Sequence, residues 1–399
     1  DVYYNSKQNN KNTSKTNPLR DFHNRYVKSI LINYAASQQP DTHLIDMAVG
    51  RGGDLSKWVD SNVKGILGID IKKDNIHNSN QGACARYVSS YYKYKDMPFG
   101  MFIVGDTSKL IKNGNFDIYD KQENNNNNSE EKIEEDEEIN ENVNSYYIVK
   151  TLMGDPSVDK STIKYPILKE NYGIFHKKFD ICSIQFSMHY MFENKETLHN
   201  FLTNVSDYTK MGKYFIGTCY DGNLIYNEFK DKENGETIEL YKENTKIWHI
   251  TKKYDDTNNL FEENDENSLG YKISVYQESI NKEFDEYLVN FKYFIDVMKD
   301  YGFTLEQKIQ TEHGMINSIG NFEELYTLMK KNKKDIHKYK EAKNMSYQEK
   351  KISFFNKYYV FRKTSGIIRP IYDENMNENT INFKIGKAVK IPNKMIKLI

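Results

Sequence analysis

The sequence predicts an α/β fold: a doubly wound, mostly parallel sheet of seven strands, with helices on both faces and with insertions. Three observations lead there. Short apolar runs of strand length alternate with helical stretches, as buried parallel strands and their crossovers do. A glycine turn, Gly50 to Gly53, follows the first of these runs, and a carboxylate, Asp70, closes the second. In such a sheet a ligand lies beyond the carboxyl ends of the strands.

The elements follow in order. Residues 1–17 are polar and are expected to be mobile. Pro18 then opens a helix in which Phe22, Val27, Ile30, Leu31 and Tyr34 recur near helical spacing. His43 to Val49 reads as a strand, Asp54 to Asp60 as the start of a helix and Gly65 to Asp70 as the second strand, which together make a βαβ unit. Met101 to Gly105, Phe179 to Phe186 and Lys213 to Thr218 read as further buried strands, with a helix over Glu196 to Met211 between the last two. Between the third and fourth strands, Gln122 to Asn144 holds an asparagine run and EEKIEEDEEINEN, too little apolar surface to offset the entropy of ordering it, so a disordered insertion is expected there. A polar patch over Tyr254 to Ser268 precedes an alternating segment, Tyr271 to Gln277, and a helix expected over Glu286 to Tyr301. Lys357 to Lys363 reads as a late strand. The expected division is therefore a mobile segment 1–17, a catalytic domain 18–365 interrupted by the insertion 122–144, and a basic tail 366–399.

Composition narrows the function classes. The 56 basic residues balance 57 acidic ones, so any nucleic-acid footprint must be local. Lys384 to Lys397 is such a local basic stretch, fitting either RNA or plain solvation. Cys84, Cys182 and Cys219 are far apart, without a metal-ligand spacing or a disulfide framework, which points to a reducing intracellular compartment and no metal. No apolar run approaches the roughly 18 to 20 residues that span a bilayer, so no membrane association is expected. The chain opens on Asp1 and reads as a piece of something longer.

The chemistry concentrates first in DMAVGRGGD, Asp46 to Asp54. Glycines after a strand and before a helix let backbone approach a ligand. Asp70, about twenty residues beyond Gly50, can accept from both ribose hydroxyls of a nucleoside cofactor. A dinucleotide enzyme needs G-x-G-x-x-G, yet counting from Gly50 gives Gly52 and then Leu55, which disfavours a dehydrogenase. S-adenosylmethionine has no pyrophosphate and fits the shorter motif, with Asp46 available to its ammonium. Asp106, just after the third strand, suits either the adenine amino group or a turn carboxylate. Asn24 and Lys28 lie on a helix that either folds over the cofactor carboxylate or simply faces solvent.

The most specific stretch is FDICSIQFSMHYMFE, Phe179 to Glu193, in which an apolar strand ends in Gln185, His189 and Tyr190. Together with LIDMAVGRGGDLSKW, GTCYDG, FHNRYVKSILI and DNIHNSNQGACARY, it resembles the mRNA cap guanine-N7 methyltransferases, particularly those of large DNA viruses. EYLVNF from Glu286 and YYVF from Tyr358 carry the resemblance across roughly residues 18 to 363. The resemblance implies a class I S-adenosylmethionine-dependent methyltransferase fold. It implies that Asn24, Lys28, Asp46, Ala48, Gly50, Asp70, Asp106, Gln185 and Tyr190 surround the methyl donor. His189, Tyr190 and Glu286 would orient the cap guanine, Tyr358 would pack beside it, and Arg51, Lys57 and Arg86 would face phosphates or ribose.

The same resemblance implies 5'-capped mRNA as partner, fusion to or association with RNA triphosphatase and guanylyltransferase, an activating subunit, and a site of action in host cytoplasm, viral factory, virion or nucleus. Four departures stand out. Ala48 occupies the place of the first loop glycine of many cellular enzymes. One extra residue precedes Lys28, so His23 or Arg25 competes with Asn24. Tyr220 replaces a proline, and Val275 sits near an expected aromatic contact, with Tyr271 and Tyr276 as substitutes.

Guanine N7 carries a lone pair at neutral pH, so the implied reaction needs no acid or base residue, and placement supplies the catalysis. The cofactor motifs alone also fit a methyltransferase acting on another RNA base, a ribose or a small molecule; His189 with Glu286 discriminates. A silent RNA-binding scaffold is the other alternative, and its signature would be a broken loop. Guanylyltransferase activity is not encoded, because Asp221-Gly222 has Cys219 where the KxDG nucleophile would stand.

Overall fold

The computed structural model describes residues 14–118, 144–256 and 258–368. Most of the acidic insertion and of the basic tail, and the first thirteen residues, lie outside these. Helix α1 (Asn17–Asp21) has Pro18 in its first turn and runs through a π-helical turn (Phe22–Val27) into α2 (Lys28–Ser37). Strand β1 (His43–Asp46), α3 (Leu55–Asp60), β2 (Gly65–Asp70), α4 (Lys73–His77), α5 (Ala83–Tyr91) and β3 (Phe99–Val104) come next. They are followed by α6 (Ser145–Met153), α7 (Pro166–Glu170), β4 (Phe179–Gln185), α8 (Lys195–Tyr208), β5 (Thr209–Tyr220) and α9 (Gly222–Glu228). A separate antiparallel sheet holds β6 (Thr237–Lys242), β7 (Thr245–Lys252), β8 (Lys272–Gln277) and β9 (Lys282–Tyr287). The last described part contains α10 (Phe291–Asp300), β10 (Phe303–Leu305), the hairpin β11 (Lys308–Thr311) and β12 (Gly314–Asn317), β13 (Ile319–Asn321), α11 (Phe322–Lys331), α12 (Tyr347–Phe354) and β14 (Asn356–Lys363).

The main sheet runs β10-β14-β5-β4-β1-β2-β3, and β13 adds an eighth strand on β14. Strands β1 to β5 are parallel, β14 runs antiparallel to β5, and β10, antiparallel to β14, restores the common direction. This is the doubly wound sheet that the sequence predicts. Every residue of β2 and of β4 is buried, as expected for strands covered on both faces. Side chains alternate between two cores: Tyr358 and Val360 of β14 enter one, with α2 and Trp58, whereas Tyr359 and Phe361 enter the other, with α8 and α10. Strand order reverses at β1, so the ends of β1 and β4 open the crevice where a ligand belongs.

Several expectations need correction. Glu286 is not helical: it lies in β9, and the helix begins only at Phe291, where the Asn290 side chain accepts from the Lys292 and Tyr293 amides. The second sheet was represented in the sequence reading by one alternating segment, which is β8. The polar patch over residues 254–268 is pinned at Tyr254, Phe261 and Ser268, which are buried, while most of its other described residues are exposed. Residues 14–17 are anchored, since Ser14 donates to Glu278 at 2.7 Å and Lys15 pairs with Glu243 at 2.8 Å. No helix among the described residues is long and apolar enough to cross a membrane.

Candidate active site

The glycine turn is tied to the strand ends around it. Gly50 (φ +54°) and Gly52 (φ +68°) take left-handed backbone that other residues adopt only with strain. The Gly50 amide donates to Asp70 Oδ2 at 2.8 Å, and the Val49 amide to the Ile69 carbonyl at 2.9 Å. The other Asp70 oxygen accepts from the Lys72 amide (2.9 Å) and from Asn75 Nδ2 (3.0 Å). An ionised carboxylate has about four acceptor positions, so Asp70 shapes the turn and still has capacity for a ribose hydroxyl. Burial raises its pKa against these bonds. Asp46 accepts from the Ala48 amide at 3.1 Å. Burial, and then the charge of Asp54, push its carboxyl up to about 7. A cation arriving there is favoured electrostatically. Asp70→Ala is expected to weaken S-adenosylmethionine binding by about 10- to 100-fold, the value of one or two charge-assisted hydrogen bonds, as titration calorimetry would read.

Asp54 is the residue that sequence reasoning underweighted. It precedes α3, is buried, and holds two ammonium groups: Lys28 at 3.1 Å and Lys57 at 3.0 Å. Burial alone would raise its pKa, but the two lysines prevail and bring it down to about 2. An acid directly after the glycine turn with lysine three residues later was the available signal. Lys28 thus reaches the loop through Asp54, and its ammonium also sits 5.6 Å from the centre of the Phe186 ring. Lys57 is turned inward, onto Asp54 and the Gly53 carbonyl (3.3 Å).

Phe22–Val27, just before Lys28, forms a π-helical turn, a local widening of the kind that one inserted residue produces. Of the three residues competing for that place, His23 stacks on Phe186 at 5.2 Å and bonds Ser353 Oγ at 2.9 Å. Asn24 donates to the Arg20 carbonyl at 3.1 Å, and with Arg25 and Lys57 it lines a separate polar cavity of about 890 Å³. Phe186 holds a left-handed backbone (φ +58°), fixed by its amide bond to the Thr218 carbonyl at 2.8 Å. Strained residues of this kind gather at functional sites.

The remaining assignments fall unevenly. Gln185 is buried at the end of β4, donates to Ser183 Oγ and accepts from Thr218 Oγ1, both at 3.1 Å. Asp106 makes a turn, its Oδ1 accepting the Ser108 amide (2.9 Å) and hydroxyl (2.6 Å). Arg51 is buried, with Asp74 at 2.5 Å and Gln81 at 3.1 Å. Arg86 is half-buried on α5. Tyr358 is fully enclosed, and its hydroxyl donates to the Asn317 carbonyl at 3.1 Å, so no part of it is open to a ligand. Of the substitutes for an aromatic near Val275, Tyr276 stacks on His249, on the sheet face opposite Glu286, and Tyr271 is buried against Tyr226, Tyr254 and Phe261.

His189 and Glu286 come together from distant parts of the chain. His189 lies in the 3-10 turn Met188–Phe192 after β4, and its Nδ1 is 3.6 Å from Glu286 Oε2, too long for a hydrogen bond. Both side chains are buried, and His189 Nε2 and Glu286 Oε2 have no hydrogen-bond partner among the described residues. Burial brings His189 down to about 3 and Glu286 up to about 8, so both are neutral at pH 7. The Tyr190 ring meets His189 edge-on at 4.2 Å, and burial, then the charges of Glu286 and Asp70, raise its pKa. Tyr190 thus senses the charge of both carboxylates that the sequence assigns to different ligands.

Buried polar groups without partners are rare and costly, which makes this pair a candidate for ligand recognition. Asp46 and Asp70 around the glycine turn have the acceptor chemistry for the ammonium and ribose hydroxyls of a sulfonium nucleoside. The chain as a whole is similar to proteins of known family. Residues 2–118 and 120–364 match the model of the mRNA (guanine-N(7))-methyltransferase domain. The probable mRNA-capping enzyme of Acanthamoeba polyphaga mimivirus is 25% identical over 405 residues, which cover 95% of this chain and 30% of that protein. The mRNA cap guanine-N(7) methyltransferase 1 of Arabidopsis thaliana is 27% identical over 216 residues, 53% of this chain and 42% of that one. The mRNA cap guanine-N(7) methyltransferase of Saccharomyces cerevisiae is 21% identical over 371 residues, covering 90% and 67%. The chain thus spans less than half the length of the first two. With its doubly wound sheet and S-adenosylmethionine-type loop, the chain belongs to the mRNA (guanine-N(7))-methyltransferase domain family.

Proposed function

We propose that this protein methylates N7 of the guanine in a 5' GpppN cap, using S-adenosylmethionine. The observation that carries the reading is the buried His189 and Glu286 pair, in which Nε2 and Oε2 have no hydrogen-bond partner among the described residues. A carboxylate accepts from the N1–H and N2–H₂ edge of guanine, and both donors are absent from the same edge of adenine. Asp46, Asp70 and the Gly50 turn hold the cofactor, with Lys28 and Lys57 placing positive charge beside the loop through Asp54. When bound, S-adenosylmethionine supplies an electrophilic methyl group on sulfur. Glu286 fixes the guanine edge, Tyr190 packs edge-on to His189, and His189, neutral from burial, adds no charge that would oppose a developing cation on the ring. No side chain has to move a proton.

The proposal extends to context. Capped mRNA is the substrate, and the RNA triphosphatase and guanylyltransferase steps belong to other parts of a larger capping protein or to separate chains, where viral transcripts are made. An activating subunit belongs to the same proposal. The test is transfer of a labelled methyl group to GpppA-capped RNA, with N7-methylated and uncapped RNA as controls. Label on the unmethylated cap alone supports the reading; transfer to uncapped RNA, or none despite cofactor binding, refutes it for the isolated chain. Tyr190→Ala is expected to slow single-turnover methylation by about 10- to 100-fold while the thermal melting curve stays close to that of the unaltered protein.

A further inference from the structure

The end of β5 presents a hydrogen-bond donor that neither cofactor binding nor the Glu286 contact uses. Tyr220 is buried, and its hydroxyl oxygen accepts from Trp248 Nε1 and from Gln277 Nε2, both at 3.1 Å. An indole N–H can only donate, and a phenol oxygen offers two lone pairs. With both filled, the proton is the only valence that Tyr220 has left to give. Its direction is therefore set by the sheet and not by free rotation.

The donor faces the right neighbour. Trp248 pairs with Gln277, and Ile273 pairs with Glu286, so Trp248, Gln277 and Glu286 share one face of the β6 to β9 sheet. Tyr220 packs on that face through Trp248. Two residues on, the Gly222 amide bonds the Val289 carbonyl at 2.9 Å, and any Cβ at Gly222 would come within 2.5 Å of that oxygen. This contact fastens the end of β5 to the segment just after Glu286. The Glu286 charge, second to burial, also raises the pKa of Tyr220.

Guanine presents the O6 acceptor beside its N1–H donor. Glu286 supplies the acceptor for the latter. No hydrogen bond to Glu286 fixes which His189 nitrogen carries the proton, since Nδ1 lies 3.6 Å from Oε2, whereas the Tyr220 proton has a single direction. We propose that Tyr220, held by Trp248 and Gln277, donates to O6 of the cap guanine and is a specificity-determining residue of this chain. The inference rests on the cap reading given above.

The test compares single-turnover methylation of GpppA-capped RNA with the same RNA carrying 6-thioguanine in the cap, whose sulfur is a poor acceptor. The unaltered protein should prefer the oxygen cap by about tenfold. Tyr220→Phe should lose about that factor on the oxygen cap and treat the two caps alike. Gln277→Leu, which keeps Tyr220 but frees one lone pair, should weaken the preference with the fold intact by circular dichroism. Unchanged discrimination in either variant overturns the assignment, as does a fall in rate that is equal on both caps. Failure of the unaltered protein to methylate either cap would instead refute the underlying reading.

Discussion

Glu286→Gln is expected to lower kcat/KM for cap methylation by about 10³-fold or more while S-adenosylmethionine binding is retained. The amide is nearly isosteric, so packing around β9 survives, but it presents an N–H₂ group and one neutral oxygen to the N1–H and N2–H₂ donors of guanine. A site built to bond a substrate group rejects its mismatch strongly, because buried polar groups are left unpaired. Rapid-quench kinetics with saturating cofactor would measure the loss, and a fall of less than tenfold would remove Glu286 from the guanine contact. Stability should move the other way. The Glu286 pKa is raised from an ordinary 4.5 to about 8, so the folded protein holds a proton that the unfolded chain releases. That penalty is absent below about pH 4.5 and grows by about 1.4 kcal/mol per unit as pH rises toward 8. The glutamine variant should therefore melt higher than the unaltered protein at pH 8 and equally at pH 4.5.

The same shift sets a pH dependence of cap binding. Only ionised Glu286 accepts both guanine donors, and His189, Tyr190 and Tyr220 around it are neutral across the range. Kd for a GpppA dinucleotide should fall by up to tenfold per unit as pH rises toward 8 and then level off. An affinity that is flat between pH 6 and 8 would mean that the carboxyl is already ionised in the free protein.

Asp54→Asn is expected to destabilise the fold by about 3–5 kcal/mol, the cost of leaving buried charge without its partner. Lys28 and Lys57 are both mostly buried and share this one carboxylate. Lys57→Met, which leaves Lys28 paired, should cost far less, so the two variants separate loss of the anchor from loss of one cation. Urea unfolding followed by circular dichroism gives the ordering, and equal midpoints would refute it. Cofactor affinity should fall with Asp54→Asn as well, because α2 is then no longer held against the glycine turn.

What could be read from the sequence follows burial and locality. Strands β2 and β4 are buried throughout and largely apolar, so the parallel sheet, the glycine turn and the Asp70 position all showed in short windows. The β6 to β9 sheet did not, because β6 and β9 alternate charged and half-exposed residues, and TIELYK and KEFDEY are rich in residues that helices tolerate equally well. Glu286 was therefore singled out while its strand was taken for a helix. Pairings such as His189 with Glu286, 97 positions apart, and Tyr220 with Gln277 depend on tertiary closure, which no local pattern encodes. Tyr358 shows the converse: its motif is prominent, yet its side chain is fully enclosed.

The position of β14 bears on how the protein is made. This strand, residues 356 to 363, lies between β5 and β10 in the interior of the sheet. During synthesis β5 must wait for more than a hundred further residues before its free edge is covered, a long-range closure that slows folding and exposes an unpaired strand meanwhile. A ribosome-bound chain halted before Asn356 should hold neither the sheet nor the crevice in final form. Catalytic competence would thus arrive late and all at once, when the last strand slots in.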